Sequence, residues 1–245
     1  MPPSDPTYPP LDTPKPVADR LWVVDSGPLH MLGLRLPVRM TVARLEDGGL
    51  WVHSPTRCEP GLRTALEAIG PVRHLVAPNS VHTTYLAEWQ GQYPRAQLWG
   101  APSLADRQTV RRQGLRFDGV LGEAAPSPWQ GQIDQVVVPG GGGFHEVAFL
   151  HRPSRTAILT DLVQAFEPQR LPAVVRPMVR AMGTMAPEGG TPRHLRAVLA
   201  LKHADAKAAA RRITAWAPQR VIFAHGTWFA ENGAARLARA MHWAA

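Results

Sequence analysis

Apolar and polar residues alternate along the first part of the chain, run in blocks through the middle, and then alternate again. Residues 37–45 switch between the two classes almost step by step, the period of a strand with one buried face. Leu21-Trp22-Val23-Val24 predicts a strand before it. Glu46-Asp47-Gly48-Gly49 predicts a hairpin turn, because its glycines adopt positive φ at little cost, and Leu50-Trp51-Val52-His53 returns antiparallel. The pattern then becomes strand and helix in turn. Leu62, Ala65, Leu66 and Ile69 fall at helical spacing, and Gly70-Pro71 ends that helix. His74-Leu75-Val76-Ala77 reads as a buried strand. The next helix should carry Val81, Tyr85, Leu86 and Trp89, with Asn79 or Ser80 as N-cap. Gln97-Leu98-Trp99-Gly100 repeats the arrangement, leading into a helix that runs to about Gln113.

A second β-rich run covers 133–138, 146–151 and 156–160, its last two strands joined through the turn at 151–155. Residues 172–216 read as helical, broken near Gly183 and at 187–190. A final strand at 220–224 and a final helix at 229–243 follow. Two β-rich runs, each followed by helices, suggest two similar halves packed sheet on sheet with helices outside. Residues 1–18 hold seven prolines and little periodicity, so they predict a loosely ordered arm, leaving residues 19–245 as one domain. The tryptophans at 51, 89, 99, 129, 216, 228 and 243 sit mostly at core-facing spacings.

The 245 residues suffice for one large core. One cysteine, Cys58, excludes an intramolecular disulfide and a Cys-rich zinc site. There is no signal-peptide pattern and no apolar run of transmembrane length, so the cytoplasm is the expected location. The net charge of +8 changes the picture only locally. Between Arg170 and Arg220, ten Lys or Arg face only Glu188 and Asp205. This reads as a solvated helical face, or as a surface for an anionic partner such as RNA or lipid headgroups. Within it, Arg176, Arg180 and Arg193 lie among Val174, Val175, Met178, Val179 and Met182. That mixture suggests an amphipathic cover over a site or a partner-facing surface.

The candidate chemistry lies where polar residues punctuate strand ends. His82 follows the strand ending at Ala77, His145 follows Gly140–Gly143, Asp161 follows Ala157–Thr160, and His225 follows Val221–Ala224. In open α/β architectures ligands collect at strand ends, and imidazoles with a carboxylate are metal-ligand types. Each also has a bland role: His82 packing on or capping a helix, His145 solvated, Asp161 capping, and His225 in an ordinary turn. The tetraglycine lacks the Lys-Ser/Thr and helix N-terminus of a phosphate loop, and reads as a flexible hairpin.

The order of these phrases resembles the metallo-β-lactamase superfamily, an α/β fold built as an αββα four-layer sandwich with its metal at one edge. Leu50–Pro55, Ala77-Pro78-Asn79 with His82 and Glu88-Trp89, Glu146–Phe149, Ser154–Asp161 and Ala224-His225-Gly226 are similar to an uncharacterised family within it, a domain of unknown function. The superfamily's first metal motif is H-x-H-x-D-H. Here the chain reads Asn79-Ser80-Val81-His82-Thr83-Thr84-Tyr85, with one histidine and no aspartate. The resemblance places His145, Asp161 and His225 at later ligand positions, and His53 where an orienting residue behind the metal belongs. It implies a degenerate site for at most one metal, zinc first and iron or manganese as substitutes, acting on a small ester, thioester or phosphoester. The competing expectation is a metal-free descendant of the fold that binds a small molecule or a partner.

Overall fold

The alternating residues 37–45 and the block at 50–53 pair as their patterns require, and the rest of the first sheet grows from them. The computed structural model describes residues 5–31 and 34–244. Among these, β1 (Lys15–Ala18), β2 (Leu21–Met31), β3 (Leu34–Arg44), β4 (Leu50–His53), β5 (Val72–Ala77), β6 (Gln97–Gly100) and β7 (Gly119–Val120) form one sheet in chain order. Neighbours are antiparallel from β1 to β4. They are parallel from β4 to β7, because α1 (Pro60–Glu67), α2 (Leu86–Gln92) and α3 (Gln108–Arg111) cross over between them. The second sheet holds β8 (Ile133–Pro139), β9 (His145–His151) and β10 (Thr156–Ile158) as an antiparallel meander. After α4 (Arg176–Met182), α5 (Arg193–Ala200) and α6 (His203–Ala215), β11 (Arg220–Ile222) joins parallel to β10, and α7 (Gly233–Ala240) follows.

Strand parity then builds four layers. Trp51, Val76, Phe149 and Ile222 fill the space between the sheets. Met40, Val42, Leu75 and Ala77 point the other way, onto Leu62, Leu66 and Trp89 of α1 and α2. Ala148, Ala157 and Val221 point onto Leu199, Ala210 and Leu237 of the later helices. This is the αββα sandwich. No described helix is long and apolar enough to cross a membrane.

Three local expectations change. The β2–β3 hairpin extends well beyond the alternating core, past an irregularity between Ser26 and Leu29, where Gly27-Pro28 interrupts the pattern that marks a strand. The helix after β5 begins at Leu86 rather than near Val81, which is half exposed. The Asn79 side chain explains this: its Oδ1 accepts the backbone N–H of Val81 and of His82, both at 3.0 Å, so those donors are held in a loop and not in a helix. From residue 5 onward the proline-rich arm is not loose. Pro6 and Thr7 are buried, Arg170 donates to the Thr7 carbonyl at 2.7 Å, and β1 lies within the first 18 residues. Further along, Arg170 also pairs with Glu167, and Arg212 with Glu123, so part of the excess positive charge at 170–220 is spent internally.

One buried cation ties the sheets together. Arg39 on β3 faces the second sheet and is 2% exposed at its side chain. It pairs with Asp25 of β2 at 2.5 Å and donates to the carbonyls of Phe223 and Gly226, both at 2.8 Å. Lys15 also reaches Asp25 at 2.5 Å. Breaking a buried pair leaves a charge uncompensated and typically costs several kcal/mol. Arg39→Ala should therefore lower stability by about 3 kcal/mol, read by urea unfolding. A loss below about 1 kcal/mol, the scale of a surface pair, would show that Lys15 alone neutralises Asp25.

Candidate metal centre

The site forms where the loop after β5 meets the turn after β10. The backbone N–H of Val147 on β9 donates to the Pro78 carbonyl at 2.9 Å, which joins the two sheets at this edge. Asn79, the next residue, is fully buried. Its Nδ2 lies within hydrogen-bonding distance of three acceptors: Asp161 Oδ2 (2.9 Å), Thr160 Oγ1 (3.1 Å) and Glu146 Oε2 (3.3 Å). Glu146, also fully buried, accepts the backbone N–H groups of Thr160 (2.9 Å), Asp161 (3.0 Å) and Leu162 (3.2 Å). These bonds set the course of the turn that carries Asp161.

On that frame stand His82, Asp161 and His225. A nitrogen of each ring and an oxygen of the carboxylate all lie within 4.8 Å of one another. His82 Nε2 is 3.2 Å from Asp161 Oδ2, and His225 Nε2 is 3.4 Å from Asp161 Oδ1. The far nitrogen of each ring is also engaged. His225 Nδ1 lies 2.8 Å from the Pro37 carbonyl. A carbonyl only accepts, so Nδ1 carries a proton, and in the neutral ring Nε2 presents its lone pair toward Asp161. His82 Nδ1 lies 2.6 Å from Ser54 Oγ, a hydroxyl that can accept and so support the same tautomer. Ser54 holds this place in a left-handed backbone conformation, φ 53°, an uncommon state for a residue with a side chain. Gln164 donates to Asp161 Oδ1 at 3.2 Å.

The electrostatics follow from burial and proximity. Burial alone would raise the Asp161 pKa, but His82 and His225 outweigh it and hold the carboxyl well below the usual range. Burial alone would lower that of His82, but Asp161 outweighs it and the net shift is upward. Glu146 is pushed up to about 7, by burial first and by the neighbouring Asp161 charge second.

Two sequence expectations fall elsewhere. His145 does not join the cluster. It begins β9, where successive side chains take opposite faces. Glu146 turns toward the Asp161 turn, and His145 keeps the parity of Val147 and Phe149, its Nδ1 buried without a hydrogen-bond partner among the described residues. His53 makes no hydrogen bond to the cluster among the described residues. Its parity on β4 matches that of Trp51, on which it stacks at 5.4 Å, and its Nε2 has no partner among the described residues. Burial drives its pKa down to about 3, so it is neutral. The residue that bonds a candidate ligand is its neighbour Ser54. Sequence reasoning also passed over Glu146, whose signal was a lone charge opening an otherwise buried strand, and used Asn79 only as a helix cap.

The three groups form part of the wall of a cavity of about 660 Å³. Val175, Met178, Val179 and Met182, at and within α4, line it, so this segment does face the site.

Several solved metallo-β-lactamases are similar to this chain in fold. The DIM-1 enzyme, in a crystal exposed to ceftazidime, matches at TM-score 0.64 and 12% identity over 98% of this chain and 97% of its own. FIM-1 from Pseudomonas aeruginosa, in a mono-zinc form, matches at 0.62 and 14% over 99% and 96%. An Erythrobacter litoralis metallo-β-lactamase matches at 0.64 and 12% over 94% and 95%. These likenesses define the fold class. No curated protein matches the chain. Residues 18–194 match the model of the domain of unknown function DUF4336, and the chain belongs to that family.

The raised value of His82 fixes a pH dependence in metal-free protein. A group whose folded pKa exceeds its unfolded value of about 6.5 stabilises fully below that pH, and the contribution disappears as pH rises through the folded value. The stability difference between the wild type and His82→Gln, both treated with chelator, should therefore be larger at pH 6 than at pH 9. Urea unfolding at the two pH values measures it, and an equal difference would contradict the pairing with Asp161.

Proposed function

We propose that this chain is a hydrolase of a small ester, thioester or phosphoester that holds one metal ion on His82, Asp161 and His225. The observation that carries this reading is the convergence of two imidazole nitrogens and a carboxylate within 4.8 Å, with Pro37 and Ser54 bonded to the far nitrogens. Two histidines and one carboxylate form a recurrent catalytic zinc set, three ligands with a position left for water or substrate. Zinc on such a set supplies Lewis acidity, making water a nucleophile near neutral pH and polarising a carbonyl or phosphoryl oxygen. Iron or manganese accepts the same donors.

The chain's own groups supply position. The Pro37 carbonyl fixes the His225 ring, Ser54 fixes His82, and Asn79 with Gln164 holds the two oxygens of Asp161. The same geometry supports one metal rather than two. Asn79 spends both ends of its side-chain amide on close partners, Glu146 spends its carboxylate on backbone donors, and Thr83 and Thr84 bring no charge. FIM-1 is described in a mono-zinc form, which supports one zinc as compatible with this fold.

Zinc titrated into chelator-treated protein should bind at about one equivalent per chain, and His82→Ala and His225→Ala should each weaken it at least about tenfold, the lower end for loss of a ligand's support. Far-ultraviolet circular dichroism checks that the variants fold, and iron and manganese are run alongside. Uptake far below one equivalent for all three metals, or uptake indifferent to both substitutions, would favour a metal-free binding protein instead.

A further inference from the structure

We infer that the substrate is a carboxylic ester or thioester with an extended apolar acyl chain. The carbonyl would lie at the His82–Asp161–His225 end of the cavity and the chain along α4. This rests on the proposed function for the position of the carbonyl, and the cavity alone carries the chain.

The cavity wall is divided by chemistry. Ser54, His82, Asp161, Gln164 and His225 cluster through their mutual polar contacts and supply its polar end. Much of the remaining wall is aliphatic or aromatic, including Leu36, Phe166, Val175, Val179, Met182 and Leu195. A volume of about 660 Å³ lies within the range of small-molecule sites. An apolar wall with its polar groups gathered in one place matches a ligand whose polarity is likewise at one end.

Charge narrows the class further. Among the described residues no lysine lines the cavity, and its one arginine is Arg35. The His225 ring bonds the Pro37 carbonyl, and Arg35 stands two residues farther along β3, roughly 7 Å toward the hairpin tip, where it is exposed. Apart from the metal of the proposed function, the polar end therefore offers a phosphate no guanidinium or ammonium partner, and the Asp161 carboxylate stands within it. A neutral acyl group meets no such mismatch.

The wall can also adapt to a chain. Met178 and Met182 are unbranched and flexible. Their segment rests on a satellite cluster of Phe166, Leu171 and Val179, separate from the main cores, and Met178 is 42% exposed. Hydrolysis adds water across the acyl C–O or C–S bond, giving a carboxylic acid and an alcohol or thiol, and no other reactant is needed.

Straight-chain methyl ketones of four to ten carbons carry a carbonyl and a tail but cannot be hydrolysed, so they report binding alone. Calorimetric titration should show affinity rising up to about fourfold per added methylene, from about 0.8 kcal/mol for each one buried, until the cavity is filled. Met178→Trp, on a half-exposed position that tolerates change, should weaken the longest ketones at least about tenfold and leave the four-carbon one nearly unaltered. The series is run on zinc-loaded and chelator-treated protein. Affinity independent of chain length, or a chain dependence untouched by Met178→Trp, would overturn the inference. Tighter binding of methyl phosphate than of every ketone would also overturn it, in favour of a phosphoester. Chain dependence without zinc uptake would sink the metal reading alone, and zinc uptake with flat affinities would sink the acyl chain alone.

Discussion

A buried carboxylate on one sheet, bonded to a buried amide from the other, is the constraint on which the site depends. Glu146 lies on β9 and Asn79 just beyond β5, both without solvent exposure. An unpaired polar group at such depth costs several kcal/mol, so each must find partners, and the partners available are each other and the Asp161 turn. Satisfying Glu146 requires the backbone N–H groups of 160–162 to face it. Satisfying Asn79 requires its Oδ1 to take the N–H groups of 81 and 82. Those bonds leave His82 and Asp161 on facing turns, and the Pro37 carbonyl, on the strand that also carries Arg39, holds His225 beside them.

In the proposed site the same bonds favour one metal ion over two. An asparagine that donates and accepts throughout its side chain is not a spare ligand, and a carboxylate surrounded by backbone donors has no free lone pair directed at the cavity. What remains is a small polar cluster of two imidazoles and one carboxylate against an apolar chamber. That combination suits one Lewis-acidic ion and a substrate with a single reactive polar group.

Much of the fold was legible because period-2 and period-3.6 patterns report which face of each element is buried. The two β-rich runs, the crossover helices and the strand-end positions of His82, Asp161 and His225 all followed from that signal. Less legible was direction. His53 and His145 lie at strand ends as expected, yet neither joins the three converging groups, and parity at the end of a strand depends on a register that neighbours alone settle. Nor could composition show that proline-rich residues 5–13 are held by Arg170 and Lys15. Asn79 illustrates a third limit: as a cap it is a local feature, but as a hub it depends on Glu146 and Asp161, 67 and 82 positions away.

The central claim is that His82, Asp161 and His225 together hold one metal ion. X-ray absorption at the zinc edge, on protein loaded with one equivalent, tests it most directly. The account predicts two imidazole nitrogens at about 2.0–2.1 Å and one carboxylate oxygen at about 2.0–2.2 Å, with one imidazole lost in His225→Ala. A shell with three imidazoles would bring His145 or His53 into the site and contradict the account. A shell of water oxygens alone would contradict it outright.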